Sequence, residues 1–253
     1  MPKIISTFKH LDGIGDKKEF EIWQNGILNW DEYIKNQKRK SLFFDNDLEF
    51  SIKALESFDV DFFANKLDKK DYFRLALSFP KNVMFLDIET TGLSFYYDHI
   101  TMIGWSMDSE YNFYINGIDK KEKFIDALNK AKVIITFNGT KFDLPFIEQE
   151  FKEIVFPKCH IDLMYMCRRL GLKGGQKNIE NKINFKRPKE LQDKGGYEAT
   201  IFWYMYKQGD KSSLINLIKY NFYDIKGMSF IFDYCIKEFY KKEGTDGKGI
   251  KIA

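Results

Sequence analysis

The chain has 253 residues, 44% hydrophobic and 30% charged, with a formal net charge of only +3. That is an ordinary globular balance with material for one sizeable domain and a smaller piece, and it excludes a global positive field that would announce a nucleic-acid partner. No run approaches the roughly 18 consecutive apolar residues of a membrane span, and the opening MPKIISTFKH lacks the apolar core of a secretory signal.

A soluble, cytoplasmic protein with no membrane role is therefore expected. Cys159, Cys167 and Cys235 have neither metal-like nor redox-like spacing, and their odd number fits reduced thiols. The basic clusters Lys35, Lys38, Arg39, Lys40 and Lys186, Arg187, Lys189 read as solvated faces.

In chain order, residues 1–80 read as a helical, turn-rich region. GIGDKKEFEIW places Asp16 and Glu19 three apart, a capping-box spacing with Asp16 as the N-cap, and NWDEYI repeats it with Asn29 and Glu32. ANKLDKKDYFRLALSF, residues 64–79, predicts one amphipathic helix that Pro80 ends.

From residue 81 the texture changes. NVMFLDIET reads as a buried strand, ITMIGWSM and YNFYI as the next two with a tight turn at Asp108 and Ser109, and EKFIDALNKA as a helix. KVIITFNG is a fourth strand, DLPFIEQEF opens a helix, KCHIDL is a fifth strand and MYMCRRLGL a helix. This order predicts an α/β domain over 81–242 built on a mixed five-stranded sheet, antiparallel at first and then parallel through crossovers. Residues 173–211, with two Gly-Gly pairs and many charges, read as an insertion, mobile or partner-contacting. A last helix covers about 213–242, and 243–253 reads as a flexible tail.

FLDIETTGL sets two carboxylates, Asp87 and Glu89, at the end of a buried strand. Alternation puts them on one face with Val83 and Phe85, while Met84, Leu86 and Ile88 take the other. Two neighbouring anions repel and lose hydration, so the pair either emerges into solvent or awaits a cation. FNGTKFDLPFI adds Asp143, which also fits an ordinary helix cap two residues before Pro145. KYNFYDIKGM adds Tyr220 and Asp224 at i and i+4, on one helical face. If the first and fourth strands are parallel neighbours, Asp87, Glu89 and Asp143 meet at adjacent carboxyl ends, where open α/β sheets place their sites.

These three segments, Phe85 to Leu93, Asn138 to Asp143 and Tyr220 to Asp224, resemble in order the motifs of the DEDD exonuclease superfamily, which has a ribonuclease H-like fold. Tyr-x-x-x-Asp resembles the DEDDy subclass; the histidine subclass would carry His where this chain has Lys219. Within it, FKHLDGIGDKKEFEIWQNGILNWDEYI, DYFRLALSF and HIDL followed by MYMCRRL are similar to YprB-like ribonuclease-H-like domains. The motif-bearing likeness spans roughly residues 80–240, and the N-terminal likeness is weaker.

The resemblance implies a 3′-5′ exonuclease acting on single-stranded DNA or RNA with two divalent cations, Mg²⁺ or Mn²⁺, a choice that suits an all-carboxylate ligand set. It implies Asp87, Glu89, Asp143 and Asp224 as metal ligands, Asp87 bridging both ions, and Tyr220 as the group aligning the attacking water. Thr90, Thr91, Gly92 and Leu93 would receive the terminal nucleotide, with Asn138 and Phe142 along the strand path. Asp162 and His160 read as structural. GIG is similar to the glycine hairpin of helix-hairpin-helix units, which implies a phosphate contact at Gly13 and Gly15. Two other readings of the same fold are a catalytically weak nucleic-acid-binding module and a metal-dependent endonuclease.

Overall fold

In the computed structural model, which describes residues 3–36, 42–94, 96–192 and 195–244, the chain before Pro80 forms five short helices: α1 (Asp16–Gln24), α2 (Trp30–Asn36), α3 (Leu42–Glu56), α4 (Val60–Lys66) and α5 (Phe73–Ser78). Lys38, Arg39, Lys40 and the expected tail from residue 245 lie outside the described residues. At Asn29 and Glu32 the forward half of the box forms, Glu32 N donating to Asn29 Oδ1 at 2.9 Å, while the Glu32 carboxylate reaches one residue past the cap and accepts from Leu28 N at 2.6 Å. The one at Asp16 does not. Gly15 takes the N-cap, Asp16 is the first helical residue, and Lys9 and Lys70 pair with it. Glu19 turns inward instead, because the interior offers it better donors: Phe8 N at 2.7 Å and the Arg74 guanidinium at 2.8 Å. The single helix expected over 64–79 is likewise broken. Leu67 adopts extended backbone that buries its side chain, and a 3₁₀ turn over Lys69–Asp71 separates α4 from α5.

The next strands are β1 (Val83–Thr90), β2 (Ile100–Met107) and β3 (Glu110–Ile115), followed by α6 (Glu122–Lys130), β4 (Val133–Thr136), α7 (Asp143–Glu150), β5 (Cys159–Asp162) and α8 (Leu163–Arg169). The sheet order is β3-β2-β1-β4-β5; β2 is antiparallel to β1 and β3, and β4 is parallel to β1 and β5. This is the mixed five-stranded sheet the sequence predicts. The β2–β3 turn holds Asp108 and Ser109 at φ 50° and 66°, the left-handed pair that a tight hairpin needs.

Side-chain alternation splits the core in two. Met84, Leu86, Ile88 and Ile134 pack with Phe124 of α6 and Phe146 of α7. On the other face Val83, Val133, Ile135 and Ile161 join Ile4, Phe8, Phe63 and Leu75 of the N-terminal region in one continuous core, each full burial worth ~1.5–3 kcal/mol.

The stretch expected to be an insertion folds as α9 (Gln176–Lys182), α10 (Lys189–Gln192) and α11 (Gly196–Lys207), ahead of the long α12 (Lys211–Gly244). Ile179, Ile183, Leu191, Phe202 and Trp203 are buried, and Phe202 and Trp203 pack with Leu217 and Tyr220 of α12. Its apolar islands are the α12-facing sides of short helices, which the charges and Gly pairs disguise.

Candidate active site

β1 delivers Asp87 and Glu89 onto the face that α12 crosses. Pairing of β1 with β4 ends at Phe85 and Ile135, so the β1 backbone is open beyond that point. Asp143, at the start of α7, fills the opening: its Oδ1 accepts a hydrogen bond from Ile88 N at 3.1 Å. Asp143 is thus the first residue of α7, with Phe142 as the N-cap.

From α12 come Tyr220, Asn221 and Asp224. Asp224 lies close enough to β1 that one carboxylate oxygen each from Asp87, Glu89 and Asp224 fall within 4.8 Å of one another. Asp143 stands outside that group but within its electrostatic reach. Asn221, fully buried, donates through Nδ2 to Asp87 Oδ2 at 2.9 Å and lies 3.4 Å from Glu89 Oε1, while its Oδ1 accepts from the Tyr111 hydroxyl at 2.9 Å. The approach depends on Gly104, which pairs with Asp87 on β2. A Cβ there would lie 1.6 Å from Asn221 Oδ1.

Crowding sets the electrostatics. Burial pushes the Asp87 and Glu89 carboxyls well above the usual carboxylate range, and the Asp224 charge pushes them further. Burial also drives Asp143 up to about 7, against the backbone N–H groups that hold it. Asp224 is raised by burial but opposed by Arg187 and then Lys177. The Tyr220 phenol is pushed up by burial and then by Asp224, so it stays protonated.

Two cations from the 173–211 stretch complete the surroundings. The basic run around Arg187 reads as a solvated face, yet Arg187 is 6% exposed. Its Nη2 donates to Asp224 Oδ1 at 2.5 Å and to Glu180 Oε1 at 2.7 Å, and its Nε donates to Glu180 Oε2 at 2.6 Å. A buried guanidinium needs such partners, which a charge run in the sequence does not reveal. Lys177 donates to the Tyr220 hydroxyl at 2.6 Å, and desolvation lowers its pKa. Asn221, Arg187, Glu180 and Lys177 were not predicted. Asn221 sits three residues before Asp224, so helical spacing alone was enough to place it on the same face.

The carboxylates open into a cavity of about 1040 Å³ that Thr90, Leu93, Asn138, Phe142 and Tyr220 also line. Leu93 is 84% exposed at its rim. Asn138 takes φ 65°, the left-handed conformation that Asn tolerates. Thr91 and Gly92 do not line the cavity. Thr91 Oγ1 donates to Asp98 Oδ1 at 3.0 Å, and Ser94 N to Asp98 Oδ2 at 3.0 Å, which closes the turn around Gly92. Asp162 accepts from the N–H groups of Asn138, Thr140 and Met164, and His160 pairs with Thr136 Oγ1 at 2.9 Å; both are structural. Gly13 and Gly15 line a separate cavity of about 470 Å³ with Lys9 and Lys66.

A model of the RNase H superfamily (RNase_H_2) matches residues 84–236, more than half of the chain, and takes in Asp87, Glu89, Asp143, Tyr220 and Asp224. The chain belongs to the RNase H superfamily. No curated protein matches it. Among solved structures, this RNase H superfamily chain is similar to the family B DNA polymerase of the hyperthermophilic archaeon Pyrobaculum calidifontis, with a TM-score of 0.51 and 14% identity over 66% of this chain. The likeness spans 26% of the polymerase, and at that identity it is a likeness of fold. A nuclease solved in its apo form aligns with a TM-score of 0.47 and 15% identity, over 71% of this chain and 81% of that one.

The donor set is all carboxylate oxygen, which fits a hard divalent cation such as Mg²⁺ or Mn²⁺ and not a soft one. Such an ion would relieve the repulsion that raises the Asp87 and Glu89 carboxyls.

Proposed function

We propose that this chain is a divalent-metal-dependent nuclease of the DEDDy type, allied to YprB-like domains, that removes nucleotides from the 3′ end of single-stranded DNA or RNA in the cytoplasm. One observation carries the reading: carboxylate oxygens of Asp87, Glu89 and Asp224, far apart in sequence, gather within 4.8 Å beside the Tyr220 phenol.

In this reading Asp87, Glu89 and Asp224 would hold one cation, and Asp87 with Asp143 would serve a second. When bound, the ions neutralise phosphodiester charge and acidify water. Tyr220 orients the attacking water through its hydroxyl and does not abstract a proton, in keeping with its raised pKa. Asn221 fixes the Asp87 carboxylate. The 3′-terminal nucleotide enters the cavity against Thr90, Leu93, Asn138 and Phe142, with Leu93 packing on its base. Thr91 and Gly92 act through the shape of the turn that presents Leu93. Residues 1–80 and 81–242 form one body in this scheme, and Gly13 and Gly15 remain candidates for a distant phosphate contact.

A second reading, a binding module with weak catalysis, draws on Arg187, which already occupies one oxygen of Asp224. Denaturing gels with 5′-labelled DNA and RNA strands and Mn²⁺ separate the two. Laddering from the 3′ end supports the nuclease, an intact strand supports the binder, and cleavage of circular strands supports an endonuclease.

A further inference from the structure

A second cavity of about 710 Å³ lies beside the loop from Phe137 to Thr140. Phe137 and Asn138 line the carboxylate cavity, Thr140 lines this one, and Arg168 of α8 lines both. Its other walls include Lys69 and Lys70 from the turn between α4 and α5, and Tyr165 and Arg169 from α8.

These groups are not equivalent. Lys70 pairs with Asp16 at 2.6 Å, and Arg169 donates to the Lys70 carbonyl at 2.6 Å with its guanidinium 4.3 Å from the Phe239 ring centre. Lys69 and Arg168, both exposed, make no ion pair among the described residues. The one carboxylate in the wall, Asp162, is fully engaged by three backbone N–H groups. Tyr165 is 43% exposed, and the Arg168 guanidinium lies 5.6 Å from its ring centre. Two cations without ion partners and a partly exposed ring, joined to the candidate active site through Arg168, which lines both cavities, match a strand that alternates phosphates and flat bases.

We infer that this cavity is a single-stranded nucleic-acid subsite, which takes the nucleotides upstream of the terminal one: Lys69 and Arg168 hold phosphates, and a base stacks on Tyr165. The inference deepens the proposed function by giving the substrate its path, and it assigns the N-terminal region a part in binding through Lys69.

The test is fluorescence anisotropy of a short 5′-fluorescein oligothymidylate on the full chain in EDTA, across a KCl series, beside hydrolysis of bis(p-nitrophenyl) phosphate with Mn²⁺. Tyr165→Ala should weaken strand binding about tenfold. Lys69→Glu with Arg168→Glu should weaken it further and flatten the log–log salt slope by about 1.4, the counterion release of two phosphates on a single strand. Lys69→Glu and Tyr165→Ala alone should leave small-ester hydrolysis and melting temperature unchanged. Wild-type affinity or an unaltered salt slope in the double variant overturns the subsite, whatever the nuclease result. If the wild type binds through these residues yet cleaves neither strand nor ester, the subsite stands and the nuclease reading falls.

Discussion

Arg187 Nη2 stands 2.5 Å from Asp224 Oδ1, and the same guanidinium is held from behind by both oxygens of Glu180. Asp224 therefore meets the carboxylates of β1 with part of its charge already answered from within the fold. The contact needs close packing: a Cβ on Gly227 of α12 would lie 1.9 Å from Glu180 Oε1.

Removing the guanidinium strands two buried anions. Arg187→Met should destabilise the fold by ~3–5 kcal/mol in urea unfolding, the cost of breaking a buried pair from one side. Adding Glu180→Met should restore a large part of that loss. Failure of the second change to compensate would mean that Asp224 alone accounts for the role of Arg187.

The acid cluster should make stability depend on pH and metal together. Carboxyls whose folded pKa is raised bind protons more tightly in the folded state, so their contribution is present below about pH 4 and lost as pH rises toward 7, the value for Asp143. A divalent cation needs the deprotonated form. The melting-temperature gain from Mg²⁺ over EDTA should thus be small at pH 5 and grow through pH 8. His10, buried and depressed to about 3, loses stability on the acid side as pH falls from its ordinary 6.5, but equally with and without metal, so the difference isolates the cluster.

Gly104→Ala should cost ~1–3 kcal/mol and sharply reduce phosphodiester cleavage, because its Cβ displaces Asn221 from Asp87. Placed on Asn221→Ala, the same change should add little, since the colliding oxygen is gone. Additive losses in the double-mutant cycle would rule out that steric link.

Tyr220→Phe should lower kcat by roughly 10²-fold, the scale of a misplaced reactant, with metal affinity retained. Asp224→Ala should weaken both. Isothermal titration with Mn²⁺ beside nucleotide-release rates distinguishes the two roles.

Residues 81–244 without the N-terminal helices should not fold alone. Ile4, Phe8, Phe63 and Leu75 share a core with Val133, Ile135 and Ile161, and losing them exposes one face of the sheet. A cooperative melt from the truncated chain would contradict this.

Period-two alternation made the sheet readable in the sequence: each side-chain assignment on β1 follows from it, while the expectation that Asp224 joins Asp87 and Glu89 rests on the resemblance of the three motifs. What escaped were partners chosen in three dimensions. Glu19 reads as a capping residue until Arg74, 55 positions away, is folded against it. Arg187 reads as one cation in a surface run until α9 and α12 enclose it. The break at Leu67 follows from a core position outweighing helix periodicity. Local pattern reports on which face a side chain lies, and says little of which distant charge it will meet.

Crystals of the chain soaked in Mn²⁺ near pH 7.5 and measured for anomalous scattering test the central claim most directly. A peak within bonding distance of Asp87, Glu89 and Asp224 is the expected result. Ordered carboxylates with no Mn²⁺ between them, and Arg187 as the sole cation on Asp224, would contradict it.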